Sequence, residues 1–537
     1  MNEMEDCGAV YQVNGAAKDP FQLFQEQGAN LVRARLWHNA DWTEYSNVPD
    51  VLATFSRAKE QEMKTLLDFH YSDNWADPGK QTIPAAWEAI DDEAALAQAV
   101  YDYTYETLMT FAEADLMPDF VQVGNETNPG LLKKTMESDW PRDAKLFNAG
   151  IKAVRDAAKA TKTNPQIILH IAQPENTGWW FTQARENGVT DFDVIGISYY
   201  PQWSTFSVTD MGNHVTYLRQ EFGKEVMVVE TAYPWTYETA GDTADNVLDK
   251  NIRAYPPTIE GQRQFMIDLT QSLVSNGALG VVYWEPAWVS TECHTRWGQG
   301  SHWENATFFD FQNDNELHAG ANFLGYVYKR PLLPIDGIIE ENYGEPALSD
   351  AAGDSFSQQA QDDLLSLYIA DDPDSLYLAV TLAGDLLAAQ QGTLLIYLDT
   401  TQDEQGAAID VGKRPITIAD PNKPEFRLDI TISEQKGTVG GSYAFYAWDG
   451  MAWQEITLTG AAAIHSGEPS IIELQIPKAL LNNPSSVAVA AATVGKGRVH
   501  TAVDILGSSA LLADLKDEVT INTFVHFDLS EPEQTSD

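Results

Sequence analysis

Two cysteines in 537 residues, Cys7 and Cys293, are too few for a disulfide framework, and they lack the CxxC spacing of zinc or thiol-redox chemistry. Positive charge is scarce as well: 33 Lys and Arg stand against 79 Asp and Glu, a formal charge of −46. A chain this acidic repels nucleic acid and anionic membrane surfaces, and no basic patch interrupts it. From residue 335 onward 9 basic residues face 32 acidic ones, so each half carries −23 and the acidity is not a tail. It reads as solubility in a salty or extracellular setting. No apolar run approaches the roughly 20 residues of a membrane span. The opening MNEMEDCGAVY lacks the charged and apolar regions of a signal peptide. Internal repeats and low-complexity blocks are missing too.

Core material is plentiful. Hydrophobic residues make up 44% of the chain, with 15 Trp, 21 Tyr and 21 Phe, which excludes wholesale disorder. The length exceeds the roughly 250–300 residues that one core supports, so two domains are expected. Between Ala29 and Trp288 seven short apolar runs recur: ANLVRARLW, KTLLDFHY, PDFVQVGNE, QIILHIAQ, VIGISYYP, EVMVVET and GVVYWEPAW. Segments with apolar residues every three or four positions, such as DEAALAQAVYDYTYETLMTFAEA, lie between them. Near-continuous apolar strands alternating with helices predict a parallel sheet buried on both faces, and so many units favour a (β/α)8 barrel. One strand of the eight is missing from this count. Beyond Gly325 the proline-bearing KRPLLPIDG leads into strand signals without long helices, among them SLYLAVTLA, TLLIYLD and SVAVAAATV, which predict a β-sandwich. The expected division is 1–328 barrel and 329–537 sandwich.

In DFVQVGNETNPG, residues 119 to 130, a strand turns into a loop at a single carboxylate, Glu126. Other runs end in polar or aromatic groups: Arg33, Arg35, Asp68, His70, Asn125, His170, Ser198, Tyr200, Glu230, Trp284 and Glu285. In a barrel these strand ends meet on one face. Glu126 and Glu230 then face each other across an aromatic cleft, which suits glycoside hydrolysis by one proton donor and one nucleophile. Arg33 and Tyr200 would keep the nucleophile ionised, and Asn125 could hold a sugar 2-hydroxyl. A lone strand-end Glu is usually a solvated cap; two in matching positions argue for function. His70 and His170 divide evenly between site residue and satisfied core histidine.

The runs GANLVRARLW, LLDFHYSDNWADPGKQTIPAAW, VQVGNETNPGLL, VVETAYPW, YWEPAW and WENATFFDF resemble glycoside hydrolase family 53, the arabinogalactan endo-β-1,4-galactanases, over roughly the first 325 residues. The resemblance implies a retaining (β/α)8 glycosidase with Glu126 as acid/base and Glu230 as nucleophile. It makes Arg33 and Tyr200 the groups that orient the nucleophile and Trp284 the floor of the central subsite, and it places His70, Asp73 and Trp75 in the substrate-lining segment. Relatives open with one more short strand before the EMED segment; its absence explains the count of seven and suggests truncation or a misassigned start. Cys7 would follow that strand and Cys293 follows the last one, its neighbour in a closed ring, so a disulfide between them is an expectation in an extracellular compartment.

Some bacterial relatives carry structural calcium between the last two barrel loops, where this chain offers Asp242, Asp245 and Asn246. In the second half Asp399, Asp403 and Glu404 resemble the calcium-bearing hairpin of some sandwich domains, and that half as a whole resembles family 9-like carbohydrate-binding modules, with Trp448 and Trp453 as a sugar platform or a packed hairpin. The resemblance thus implies a monomeric hydrolase, secreted or held at the cell surface or in the periplasm, that cuts β-1,4-galactan, the side chains of pectin, with no cofactor for the chemistry, no nucleic-acid partner and no membrane span. The alternatives are another β-glycanase such as a mannanase, and a polysaccharide-binding barrel without activity.

Overall fold

All seven apolar runs form strands of one parallel sheet in a computed structural model of the chain. The structure describes residues 1–250, 255–330, 332–335, 337–386, 391–401, 406–410, 414–419, 421–435, 438–458, 460–465, 467–494, 501–508 and 514–530. It divides into two compact units, Met1–Arg330 and Pro331–Asp537.

In the first unit the strands are β1 (Leu31–Leu36), β2 (Lys64–Phe69), β3 (Phe120–Val123), β4 (Gln166–Ala172), β5 (Val194–Ser198), β6 (Glu225–Thr231) and β7 (Val281–Tyr283), hydrogen-bonded in chain order. Helices α1 (Val48–Glu60), α2 (Glu93–Glu113), α3 (Trp140–Thr161), α4 (Pro174–Glu186), α5 (Val208–Phe222) and α6 (Ile259–Ser275) return the chain between them. This is a nearly closed TIM barrel of seven strands. Its edge strands β1 and β7 flank a cavity of about 390 Å³ lined by Leu31, Arg33, Val281, Tyr283, Phe308 and Phe323.

Helix α3 shows how packing places the site. Asp139 caps it by accepting from the Arg142 N–H, Pro141 fits the first turn, and Leu146, Phe147, Ile151 and Val154 form the buried stripe. Gly150 lies so close to β3 that an added Cβ would meet Val123 Cγ1 at 2.7 Å. The strand that leads into Glu126 is therefore clamped at its last residue.

A disulfide joins Cys7 to Cys293. Further ties hold the same N-terminal segment: Gln12–Val13 pairs with Glu316–Leu317, and Arg57 on α1 bridges Glu5 and Asp19.

The second unit consists mainly of two antiparallel sheets. One orders Leu348–Ser349, Leu364–Asp371, Ser375–Leu382, Ser470–Pro477 and Ala461–His465; the other centres on Phe426–Gln435, Gln391–Asp399 and Ser486–Val494. Alternate residues of both sheets, among them Leu378, Leu474, Leu394, Ile430 and Val489, share one buried cluster, which is the packing of a sandwich. No helix among the described residues is long and apolar enough to cross a membrane.

Candidate active site

Seven parallel strands deliver their polar last residues to one end of the barrel, and a single arginine organises them. Arg33 on β1 donates through Nη1 to Glu230 Oε2 at 3.0 Å, through Nη2 to Asp68 Oδ2 at 2.9 Å and Asn125 Oδ1 at 2.8 Å, and through Nε to Gln122 Oε1 at 3.3 Å. Asp68 and Gln122 have no exposure. A guanidinium buried this deeply needs carboxylate partners on more than one side, and its fixed fork aligns β1, β2, β3 and β6 at once.

Glu126 sits beyond the end of β3 with φ of +46°, in the left-handed region that a non-glycine residue enters at a cost of about 1 kcal/mol or more. The turn is held from both sides. Asn128 exchanges two 2.9 Å hydrogen bonds with the backbone of Ala172, the Thr127 N–H donates to His170 O, and Gln81 Nε2 donates to Asn125 O. From the end of β5, Ser198 Oγ donates to Glu126 Oε1 at 2.6 Å. A bulge between Ile197 and Ser198 sets Ser198 in register with Glu230 across β5 and β6. Tyr200 O–H then donates to Glu230 Oε1 at 2.8 Å.

Carboxylate oxygens of Glu126 and Glu230 lie within 4.8 Å of each other. Burial pushes the Glu126 carboxyl up, and the nearby Glu230 charge adds to it, to about 8. Burial also raises Glu230, but Arg33 and Tyr200 oppose the shift with one charged and one neutral donor. Glu126, with a single neutral donor, is the carboxyl that keeps its proton.

His70 donates through Nε2 to Asp68 Oδ2 at 3.1 Å and accepts the Ala76 N–H at Nδ1, so it is neutral and holds the loop after β2. Asn125 Nδ2 donates to Ala76 O, which leaves one amide hydrogen for a ligand. Asp73 braces that loop by accepting from the Asn39 and Ala85 N–H groups. Trp75 and Trp284 meet at 5.8 Å between centroids, and Trp284 Nε1 is buried without a hydrogen-bond partner. The rings continue on both sides. Trp297 lies 6.1 Å from Trp75 and 5.3 Å from Trp42, while Trp303 lies 6.3 Å from Trp284 and 5.9 Å from Tyr200. Trp297 is 40% exposed and Trp203, beside Tyr200, 49%, so the ribbon opens to solvent at both ends. Trp42, Trp297 and Trp303 stand in loops, where no periodicity marks them.

The proposed calcium ligands separate. Asp242 accepts from Ser290 Oγ and from the Ser301 and Ala244 N–H groups, and Asp245 is exposed, with its backbone carbonyl engaged by His302. Asn246 Oδ1, however, is buried without a partner, as is Glu304 Oε2 on the facing loop. Burial and the neighbouring Asp242 charge lift Glu304 to about 7. Asp399 ends its strand fully buried in the second unit; Asp403 and Glu404 lie outside the described residues. There the oxygens of Asp350, Asp354 and Asp504 converge within 4.8 Å, a grouping that sequence spacing does not show. Trp448 and Trp453 meet edge to face at 5.6 Å, with Trp453 Nε1 donating to Ile409 O, which closes a hairpin and offers no flat platform.

The chain is similar to known proteins. Residues 1–323 match the family model described as Glycosyl hydrolase family 53. The arabinogalactan endo-beta-1,4-galactanase of Cellvibrio japonicus (strain Ueda107) is 54% identical over 322 residues, 59% of this chain and 85% of that one. The endo-beta-1,4-galactanase of Bacillus subtilis (strain 168) is 35% identical over 300 residues, 53% of this chain and 68% of its own. Among solved structures, the Ignisphaera aggregans GH53 catalytic domain aligns with a TM-score of 0.56 at 32% identity, covering 61% of this chain and 93% of that domain. A structure of fungal beta-1,4-galactanases aligns at 0.53 and 27% identity, covering 61% and 96%.

Proposed function

The chain belongs to glycosyl hydrolase family 53, and on that premise we propose that it is an endo-β-1,4-galactanase that retains anomeric configuration, with Glu126 as acid/base and Glu230 as nucleophile. The observation that carries the mechanism is the spacing of the two carboxylates, whose oxygens lie within 4.8 Å. Retaining enzymes hold the pair about 5–5.5 Å apart, whereas an inverting enzyme needs about 6.5–9.5 Å to admit a water. In the first step a Glu230 oxygen attacks the anomeric carbon while Glu126 gives its proton to the departing glycosidic oxygen. In the second, water attacks the galactosyl ester and returns a proton to Glu126, and Glu230 leaves as carboxylate. Two carboxyls and water suffice; no cofactor takes part.

Arg33 and Tyr200 keep Glu230 ionised and aimed, and Asn125 has one amide hydrogen left for the 2-hydroxyl. Trp284 supplies an apolar face together with an Nε1–H that finds no acceptor among the described residues. The ribbon from Trp297 and Trp42 to Trp203 is longer than one sugar, which suits an enzyme that grips a chain internally. Structural calcium fits the loops after β6 and β7: Asp242, Asn246 and Glu304 supply hard oxygen ligands, two of which carry a buried oxygen that meets no hydrogen-bond donor among the described residues. The Cys7–Cys293 bond supports an extracellular setting. The second unit is read as an accessory carbohydrate-binding module, on its two-sheet architecture.

Digestion of β-1,4-galactan, mannan and cellulose in parallel, with sizing of the products, tests the activity. Galactan alone should be cut, to oligosaccharides; equal or better release from mannan would replace the substrate assignment. The carboxyl pair also sets a pH profile. Glu126 must be protonated, so kcat/KM should fall as pH rises through about 8. Glu230 must be ionised, so it should fall again as pH drops through a value above the ordinary Glu range. Initial rates across the pH range check both limbs. An alkaline limb below about pH 6 would remove Glu126 as the acid.

A further inference from the structure

Ser198 stands between a buried histidine and the acid. His170, with no exposure, has Nε2 2.8 Å from Ser198 Oγ, and Ser198 Oγ in turn lies 2.6 Å from Glu126 Oε1. The far side of the ring fixes the direction of this chain. The Gln122 amide is oriented by Arg33, whose Nε donates to Gln122 Oε1, so the Gln122 Nε2 that lies 2.9 Å from His170 Nδ1 is a donor. The Glu126 backbone N–H points at the same nitrogen at 3.3 Å. One Gln122 hydrogen goes to Asp68 Oδ1 at 2.6 Å and the other is shared around Nδ1, while the Glu126 backbone hydrogen, fixed by its peptide plane, needs a lone pair there. The other group near it, Asn125 Oδ1 at 3.0 Å, has its two lone pairs met by Arg33 Nη2 at 2.8 Å and Gln122 Nε2 at 3.2 Å. The ring proton of neutral His170 therefore resides on Nε2. Nε2–H donates to Ser198 Oγ, and the serine hydrogen is left to point at Glu126.

We propose that His170 and Ser198 are positioning residues that decide which oxygen of Glu126 carries the catalytic proton. In a protonated carboxyl the oxygen that accepts a hydrogen bond is the carbonyl-type one, so Oε1, fed by Ser198, is the acceptor and the proton is assigned to Oε2. Among the described residues Oε2 receives no protein hydrogen bond and is free to meet the leaving oxygen. The same donation steadies the carboxylate after the proton has gone. It thus holds the acid below the value that burial and Glu230 alone would set, with cost to neither half-reaction. The other groups facing Glu126 are Glu230 with its partner Tyr200, Arg33 and Asp77. A change at Ser198 alters none of their charges.

This inference rests on Glu126 being the acid, and the test separates the two. In the full-length chain, Ser198→Ala should lower kcat on galactan about tenfold with KM unchanged, and move the alkaline limb up by about one pH unit. An aryl galactoside with a good leaving group should be spared, and Ser198→Thr, which keeps the hydroxyl, should restore both kcat and the limb. An unmoved limb, or a raised KM with normal kcat, overturns the proposal. Glu126→Ala is the control. If it loses equally on both substrates, the acid assignment itself fails; if it spares the aryl substrate while Ser198→Ala leaves the pH profile as it was, only the positioning role fails. Should Ser198→Ala not fold, imidazole ¹⁵N resonances of the unmodified protein, assigned through His170→Gln, decide the matter. A protonated Nε2 with a bare Nδ1 is expected, and an Nδ1–H ring or an imidazolium overturns the proposal.

Discussion

Glu230→Gln should cut neither galactan nor an activated aryl galactoside at a useful rate, with losses of at least about four orders of magnitude on both. The amide is close in shape, so Arg33 and Tyr200 keep a partner and the fold survives, but the carbon–oxygen bond to the sugar cannot form. Glu126→Ala should behave differently. It removes proton donation, worth about 10²–10⁴, from polymeric galactan, and leaves the first step on a good leaving group nearly intact. The galactosyl ester then waits for a base. Added azide, small and already anionic, should enter the space vacated by Glu126 and release β-galactosyl azide, the retained configuration. Rates on both substrates with and without azide, and the anomer of the azide product, are the measurements. Equal losses in the two variants with no azide product would mean that the roles have been misassigned.

Strand positions and the carboxyl pair are legible in the sequence for one physical reason. A parallel strand buried on both faces must be apolar along its length, so a polar residue at its end stands out. Asp68, Ser198, Glu230 and Trp284 announce themselves this way, and Arg33 and His170 do so as polar residues inside apolar runs. What Ser198 does is not legible, because its bond to Glu126 joins the end of β5 to the loop after β3, two strands that are not neighbours in the sheet. Tautomers are hidden too: His70 and His170 look alike as residues, and only their donors separate a loop brace from the partner of the acid. Trp42, Trp297 and Trp303 reach the cleft from loops, where no period governs which way a side chain turns. The calcium reading shows the opposite failure. Asp245 looks like a ligand by spacing yet is exposed, while Glu304, within the aromatic-rich WENATFF, carries the orphaned oxygen.

Replacing both Cys7 and Cys293 by Ser should lower the stability of the barrel about as much as a single large-to-small core substitution. The bond closes a loop spanning a sequence separation of 286, and chain entropy alone assigns such a crosslink about 6 kcal/mol, with measured losses of about 2–5. The lower part of that range is the better expectation. The strand pairing of Gln12 with Glu316 and the bridges from Arg57 to Glu5 and Asp19 hold the same N-terminal segment in the folded state, so little native structure is lost. What changes is the freedom of the unfolded chain. Thermal melts should therefore fall by several degrees, and reduction with a strong thiol should reproduce the shift in the unmodified protein and leave the double variant unmoved. Function should follow through one loop. Cys293 immediately precedes the short pairing of His294–Thr295 with Gly298–Gln299 whose tip carries Trp297, so loosening it should raise KM for long galactan while kcat, set by Glu126 and Glu230, stays near its original value. A melting point unchanged by both treatments would mean that the crosslink is absent in solution or that the unfolded chain is already compact there. Quantifying free thiols in denaturant distinguishes those two outcomes.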